Sequence, residues 1–356
     1  MKEVFNFAGP RAEIRDSPIP EPNDDQVLIK VVVSGTNPKD WKAPDFAATL
    51  TEGPIYERIK GMKVGTNQGD DIAGIVEKVG ANVVEFKLGD RVAAFHEMMT
   101  PHGSFAEYAI AWSHTTFHIP HHTSFEEAAT IPLTALTSAL ALYRHLALPF
   151  PWLPATSPIP LVVYGASAAV GAFAIKLAQN SNIHPIIAIA GKGSHFVESI
   201  IDRSKGDTII DYRDTFESVT QKIREAVKAS GNQEVKYAID AAIVPESAKI
   251  LREVVAPDGH INFIFPNDFD VSPAMKSTSS VGSVHNQYRT EDTRELGYIF
   301  SRYLTRALQQ GRLSGHPYEV RKGGLEGVEQ ALKDLKEGKA SAVKYIVRIA
   351  DTPGLK

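Results

Sequence analysis

Two short stretches carry the residue types that handle phosphate. The first is 161–179, LVVYGASAAVGAFAIKLAQ. An apolar run, 161–164, meets small residues, 165–169, and then a helical pattern. Small side chains at such a turn let backbone N–H groups approach a pyrophosphate, and the helix N-terminus adds donors and a partial positive charge. Aligned on Gly171, the dinucleotide fingerprint G-x-G-x-x-G reads Ala166-x-Ala168-x-x-Gly171, with alanine at two of its three glycines. Ser167, Ala168, Ala169 and Val170 are the expected pyrophosphate cradle; a close-packed turn without ligand is the alternative. The second stretch is Gly191-Lys192-Gly193-Ser194, after the apolar run 185–190. NAD-binding units commonly place an Asp or Glu here, on the ribose 2′-OH. No acid stands here to repel a 2′-phosphate. Lys192 can pair with that phosphate and Ser194 can donate to it, so NADPH is favoured over NADH. The alternative for Lys192 is a solvated loop lysine.

These turns need strands and helices to hold them. From 161 onward the pattern predicts strands at 161–164, 185–190, 207–211, 236–241 and 260–265, with helices at 170–180, 195–204, 215–229 and 246–255. Such alternation argues for a parallel, doubly wound sheet, which a strand near 280–284 would extend. The preceding half is β-rich. It holds a strand at 26–33, a polar turn at 34–42 (SGTNPKDWK), short strands over 69–92 separated by Gly74, Gly80 and Gly89, and a strand at 104–109. Ser124-x-x-Glu127 reads as a capping box opening a helical segment that Pro132 interrupts on its way to His145. The proline-rich 148–160 reads as an exposed connector. Helices at 290–310 and 325–337 and a strand at 343–349 close the chain.

Composition bounds the chemistry. The 356 residues are 43% hydrophobic and 22% charged, as in a water-soluble globular protein with room for two domains. The net charge of −4 gives no polycationic surface for nucleic acid or anionic membrane. No cysteine is present, which excludes disulfides, thiol catalysis and thiolate zinc sites. The first residues, MKEVFNFAGPRAEI, show neither a signal nor a transit pattern, and the longest apolar candidate, 161–175, is too short for a membrane span. The expectation is a cytoplasmic enzyme with a small-molecule substrate.

The order of a β-rich domain, a dinucleotide-binding domain and a return segment resembles the medium-chain dehydrogenase/reductase superfamily, in its zinc-independent quinone oxidoreductase and enoyl reductase branch. The resemblance rests on GTNPKDWK (35–42), GDDIAGIVEKVG…FKLGDRV (69–92), GSFAEY (103–108) with EEAATIPLTALT (126–137), VYGASAAVG (163–171) and the SAVKYIV ending. The YGAS turn, the DYR at 211–213 and the proline-rich loop look most like fungal enoyl reductases. The resemblance implies an α/β fold, with a GroES-like catalytic domain over 1–125 and 290–356 and a Rossmann cofactor domain over 126–289. Zinc-dependent relatives carry a Cys in the turn 36–40, a His-Glu pair at 70–71 and a four-cysteine lobe; this chain has none, and no metal site is expected.

The resemblance further implies that Tyr212 reaches the 2′-phosphate, and that Asn37, Pro38, Asp40, Thr137, Phe263, Ile264, Phe265, Ala340, Ser341 and Lys344 contribute to the NADPH site. Without zinc, the expected acceptor is an activated C=C or a quinone. Hydride addition then leaves an enolate that needs hydrogen-bond donors and a proton. Lys42, just after the turn expected at the nicotinamide, is one candidate for that role, and Tyr56 is another; solvent is the third source. Local turn chemistry accounts equally for Asn37 and Asp40. The leading reading is an NADPH-dependent reductase of enones, quinones or enoyl groups. A trans-acting enoyl reductase of a polyketide pathway and a non-catalytic NADPH-binding sensor are the alternatives. By resemblance the assembly is a homodimer through 280–284, against a monomer. Substrate shape is expected to be set by 46–62 and 285–288.

Overall fold

In the computed structural model, which describes residues 1–231, 234–285 and 292–355, the chain divides into two units: Met1–Leu133 with Gly282–Lys356, and Thr134–Val281. The first opens with a hairpin, β1 (Lys2–Phe7) and β2 (Arg11–Asp16). Next comes β3 (Gln26–Gly35), whose QVLIKVVVSG favours a long, largely buried strand. The turn after it does not stay a turn: α1 (Lys39–Thr49) begins within it, followed by α2 (Pro54–Ile59). β4 (Asp71–Val79), β5 (Arg91–Phe95), β6 (Tyr108–Trp112) and β7 (Thr116–His118) complete this half. Gly74 lies inside β4 rather than between strands. A Cβ there would sit 2.2 Å from Lys30 O, so glycine serves close strand approach next to a register shift. The strand expected at 104–109 begins only at Tyr108.

α3 (Phe125–Ala128) is capped by Ser124, whose Oγ accepts from Glu127 N at 3.0 Å. Only half of the capping box forms, because the Glu127 carboxylate accepts instead from Gly315 N (2.8 Å). α4 (Pro132–Ala139) starts at the interrupting proline and runs into a π-helical turn, Leu140–His145.

The second unit is built on β8 (Leu161–Tyr164), α5 (Ala169–Asn180), β9 (Ile186–Ala190), α6 (Ser194–Glu198), β10 (Thr208–Asp211), α7 (Phe216–Ala229), β11 (Val235–Asp240), α8 (Pro245–Val254), β12 (Val255–Phe263) and β13 (Met275–Thr278). All six strands run parallel, in the order β10-β9-β8-β11-β12-β13. β8 and β9 are buried throughout, which is why they read as unbroken apolar runs. The strand expected at 280–284 is absent: the sixth strand is β13, and Val281–His285 forms a 3₁₀ turn. In the proline-rich connector, Phe150 and Trp152 stack at 4.9 Å and Leu153 is exposed.

The chain returns to the first unit through α9 (Arg294–Gln309), β14 (Tyr318–Arg321), α10 (Val328–Lys336) and β15 (Lys344–Arg348). The first unit's larger sheet runs β14-β15-β3-β4-β5-β7. β3 is long enough to feed several neighbours. One edge pairs β4, while the other pairs β6 at its start and β15 at its end. No described helix is long and apolar enough to cross a membrane.

Candidate active site

In the parallel sheet, β8 lies between β9 and β11, so the chain leaves β8 toward one side and later returns on the other. The crevice at the carboxyl ends of such strands is where open α/β sheets take ligands. The turn after β8 explains its own alanines. Its one positive φ, +77°, falls on Gly165, outside the fingerprint. Ala168 adopts φ −70°, ψ 153°, which any L-residue can reach. The fingerprint glycine that is kept, Gly171, is the one with no room: a Cβ there would lie 2.3 Å from Gly165 O. A Cβ on Gly165 would lie 3.0 Å from the Ala241–Ala242 backbone, so the loops after β8 and β11 are packed back to back. Buried Asp240 shapes the second loop by accepting from Ala242 N (2.9 Å), Ile243 N (2.8 Å) and Ser247 Oγ (2.5 Å). Burial holds its carboxyl above the ordinary range.

No side chain caps α5, so its first-turn amides are left for an external acceptor. Ser167, Ala169 and Val170 are partly open and Ala168 is exposed. That open, uncapped turn fits a pyrophosphate. Thr137 is buried on α4, next to Ser138, whose hydroxyl donates to Val170 O (2.8 Å).

At the end of β9, Gly191 is buried beneath the ring of Tyr212; a Cβ there would meet Tyr212 Cε1 at 2.4 Å. Lys192 is exposed, makes no salt bridge among the described residues, and has partly open Ser194 two positions on. The nearby acid that ends β10, Asp211, is tied to Arg213, with Nε 2.9 Å from Oδ1. That pairing pulls its carboxyl down to about 2. Of the strand-end residues after β12, Phe263 lies in the core, Ile264 N donates to Asp240 O (3.2 Å), and Phe265 is half exposed.

The first unit holds a buried ion network at the start of α1. Asn37 N donates to Asp40 Oδ2 (2.8 Å), which fixes the turn into the helix. Asn37 Nδ2 donates to Asp71 Oδ2 (2.7 Å), and Leu133 N donates to Asp71 Oδ1 (2.7 Å). Lys344 Nζ joins Asp71 Oδ2 (2.5 Å) to Asn37 Oδ1 (3.0 Å). On the other side, Lys39 Nζ lies 2.6 Å from Asp70 Oδ2, 2.7 Å from Gln68 O and 3.4 Å from Asp40 Oδ1. Asp40, Asp70 and Asp71 are fully enclosed and Lys344 nearly so; Lys39 is the least enclosed of the five, at 16% side-chain exposure. Burial raises Asp40 to about 7 and Asp70 to about 8, against the pull of Lys39. Burial alone would lower Lys39, but Asp70 and Asp40 hold it above its ordinary value.

Asn37, Asp40 and Lys344 are thus brought together in one network, while Pro38 is exposed beside it. The network also includes Lys39, which lies in the stretch 37–42 that the resemblance places near the nicotinamide, and Asp70, which sequence reasoning did not single out. The signal available was Asp70-Asp71 at the mouth of an interior strand, where both carboxylates have to be buried and matched by cations. Lys42 lies outside the network. It is exposed on α1, its ammonium 5.6 Å from the Trp41 ring, and partial desolvation lowers its pKa. Tyr56 is half buried on α2 with the Lys63 ammonium 5.0 Å from its ring. Ala340 and Ser341 precede β15, Ser341 being exposed. In the segment expected to shape the substrate site, Phe46 and Ile55 are half exposed, while Ala47, Ile59 and Met62 form a small core. Asn286, Gln287 and Tyr288 lie outside the described residues. Among the described residues, no three His, Asp or Glu side chains are arranged to hold a metal ion.

Residues 23–121 match the family described as the alcohol dehydrogenase GroES-like domain. The chain is 45% identical to trans-enoyl reductase fsr4 of Gibberella fujikuroi, over 92% of each chain. It is 30% identical to trans-enoyl reductase resD of Aspergillus sclerotiorum, over 98% of this chain and 100% of that one. The crystal structure of the CurK enoyl reductase superimposes with a TM-score of 0.77 at 20% identity, covering 98% of both chains.

Proposed function

The chain belongs to the medium-chain dehydrogenase/reductase superfamily and is an oxidoreductase of its enoyl reductase type, and on that footing we propose that it is a trans-acting, NADPH-dependent enoyl reductase of a polyketide pathway. Its substrate in this reading is a 2-enoyl thioester carried by a separate synthase. The observation that carries the reading is the 45% identity to a trans-enoyl reductase across 92% of both chains. It favours the enoyl substrate over a quinone, and it leaves a non-catalytic sensor without support.

When bound, NADPH supplies the hydride. The uncapped turn Ser167–Val170 would hold its pyrophosphate, and Lys192, Ser194 and Tyr212 its 2′-phosphate. The absence of an acid after β9, and the neutralisation of Asp211 by Arg213, support the choice of NADPH over NADH. In the first unit, the turn Asn37–Asp40 would border the nicotinamide, with the Asn37 side chain held by the buried Asp71–Lys344 pair. Thr137, Ile264, Phe265, Ala340 and Ser341 complete the cofactor contacts in this reading. Its assembly in this reading is a homodimer formed through β13, an edge strand of the parallel sheet. A monomer's mass by light scattering would refute that.

The test is cofactor oxidation with a panel of 2-enoyl thioesters, enones and quinones. Turnover of the thioesters with NADPH at least tenfold faster than with NADH is the expected result. Turnover of quinones alone, or tight cofactor binding with no turnover, would overturn the reading.

A further inference from the structure

We propose that Lys39 is the proton donor that completes the reduction, and that Asp70 and Asp40 hold the proton that restores it. The proposal rests on the placing of the Asn37–Asp40 turn beside the nicotinamide. It starts from charge. Among the described residues, Asp40, Asp70 and Asp71 face only Lys39 and Lys344, so a fully ionised network would carry one buried negative charge in excess. Burying such a charge is costly, and holding one proton removes the cost. Asp71 is committed to Lys344, Asn37 and Leu133 N, which leaves the proton to Asp40 and Asp70. Among the described residues, Asp70 Oδ1 has no hydrogen-bond partner. Both carboxyls sit above the usual range, at about 7 and about 8. The remaining titratable neighbour, His96, is buried and stays neutral, its pKa pushed down to about 4.

The outlet of this store is Lys39. It touches both acids, and its side chain, 16% exposed against 4% or less for Asp40, Asp70, Asp71 and Lys344, is the least enclosed of the network, beside exposed Pro38. In the proposed step the substrate's α-carbon, electron-rich after hydride has been added at the β-carbon, takes a proton from Lys39 Nζ. A C–H bond forms, an N–H bond breaks, and the electron pair stays on nitrogen. The amine then takes a proton from the Asp70 or Asp40 carboxyl, and the carboxylate is later reprotonated from water. No oxidant or reductant enters beyond the hydride already transferred.

Lys39→Arg is the decisive variant, because guanidinium keeps the charge beside Asp70 but does not release a proton in proteins. Lys39→Gln combined with Asp70→Asn removes both charges together and guards against misfolding of either single change. In wild type in D₂O, deuterium should enter the α-carbon on one face only. Lys39→Arg should keep its melting temperature while losing about 10²-fold in kcat and placing deuterium on both faces. Carboxyl NMR of labelled aspartate in the unliganded protein should show a group titrating near neutrality that Asp70→Asn lacks, because two carboxylates then face two ammoniums, and that the double variant keeps, because Asp40 and Asp71 then face Lys344 alone. Wild-type kcat with single-face deuteration in Lys39→Arg, or only ordinary aspartate titrations in wild type, would overturn the proposal. Failure of the wild type to reduce enoyl thioesters would instead count against the proposed function, and the carboxyl titration reads the proton store independently of it.

Discussion

The ring of Tyr212 lies directly on the backbone of Gly191: a Cβ at position 191 would stand 2.4 Å from Tyr212 Cε1. The glycine is there to seat the tyrosine. Its φ is not positive, so its backbone conformation does not demand glycine.

Gly191→Ala should therefore push Tyr212 off its seat without unfolding the unit. With Tyr212 at the 2′-phosphate, the KM for NADPH should rise about tenfold, as one hydrogen bond of about 1–1.5 kcal/mol is lost. The KM for NADH should stay unchanged. Equal effects on both cofactors would mean that the ring supports the strand end and not the phosphate.

Lys192→Ala should act in the same sense and more strongly. A charge-assisted hydrogen bond contributes about 1.5–3 kcal/mol, so NADPH affinity should fall about ten- to hundredfold with NADH affinity untouched. Isothermal titration with each cofactor measures this. Because Lys192 makes no salt bridge among the described residues, no stability change should accompany the loss, and the melting temperature of the unliganded variant checks that.

Asp71→Ala should be severe for stability. It strands Lys344 in a site where only 4% of that side chain is exposed and removes the acceptor of Asn37 Nδ2 and Leu133 N. Removing one partner of a buried pair costs about 3–5 kcal/mol, chiefly through the charge left behind. Asp71→Asn with Lys344→Met should recover most of that loss in chemical denaturation. If the double variant is no better than the single, the stranded ammonium is not the cause.

The parallel-sheet half was legible because its strands are buried on both faces and its helices are spaced between them. Apolar runs such as 161–164 and 186–190 hardly permit another reading. The turn after β8 was legible in place, although its alanines disguised it: the fingerprint tracks glycine, whereas this turn needs positive φ only at Gly165. The first unit was harder. α1 hides in GTNPKDWK because its start is fixed by Asp40 reaching back to Asn37 N, a contact that resembles turn chemistry in sequence. The sheet's last strand is not readable from sequence because small polar residues around 275–284 show no period, and its pairing with β12 decides it. Above all, Lys39 and Asp70 stand 31 positions apart in sequence and 2.6 Å apart in space, a pairing that no local pattern announces.

That pairing has a consequence for stability against pH. Asp70 is raised in the folded protein to about 8 and Asp40 to about 7, whereas an unfolded aspartate titrates near ~3.9. Between these limits the folded state binds more protons than the unfolded state, so stability is greater on the acid side and is lost as pH rises through 7 to 8. The slope is at most about 1.4 kcal/mol per pH unit for each proton involved. His96 opposes this trend at lower pH. Burial holds it down to about 4 in the folded protein, so below the unfolded value near ~6.5 the unfolded state gains protons that the folded state refuses. The carboxyl effect should therefore be cleanest between about pH 6.5 and 8, where the melting temperature of wild type should climb as pH is lowered. Asp70→Asn should flatten that climb, because a neutral amide has no proton to lose. A slope identical to wild type would show that Asp70 is ionised in the folded protein at neutral pH, with Lys39 alone matching its charge.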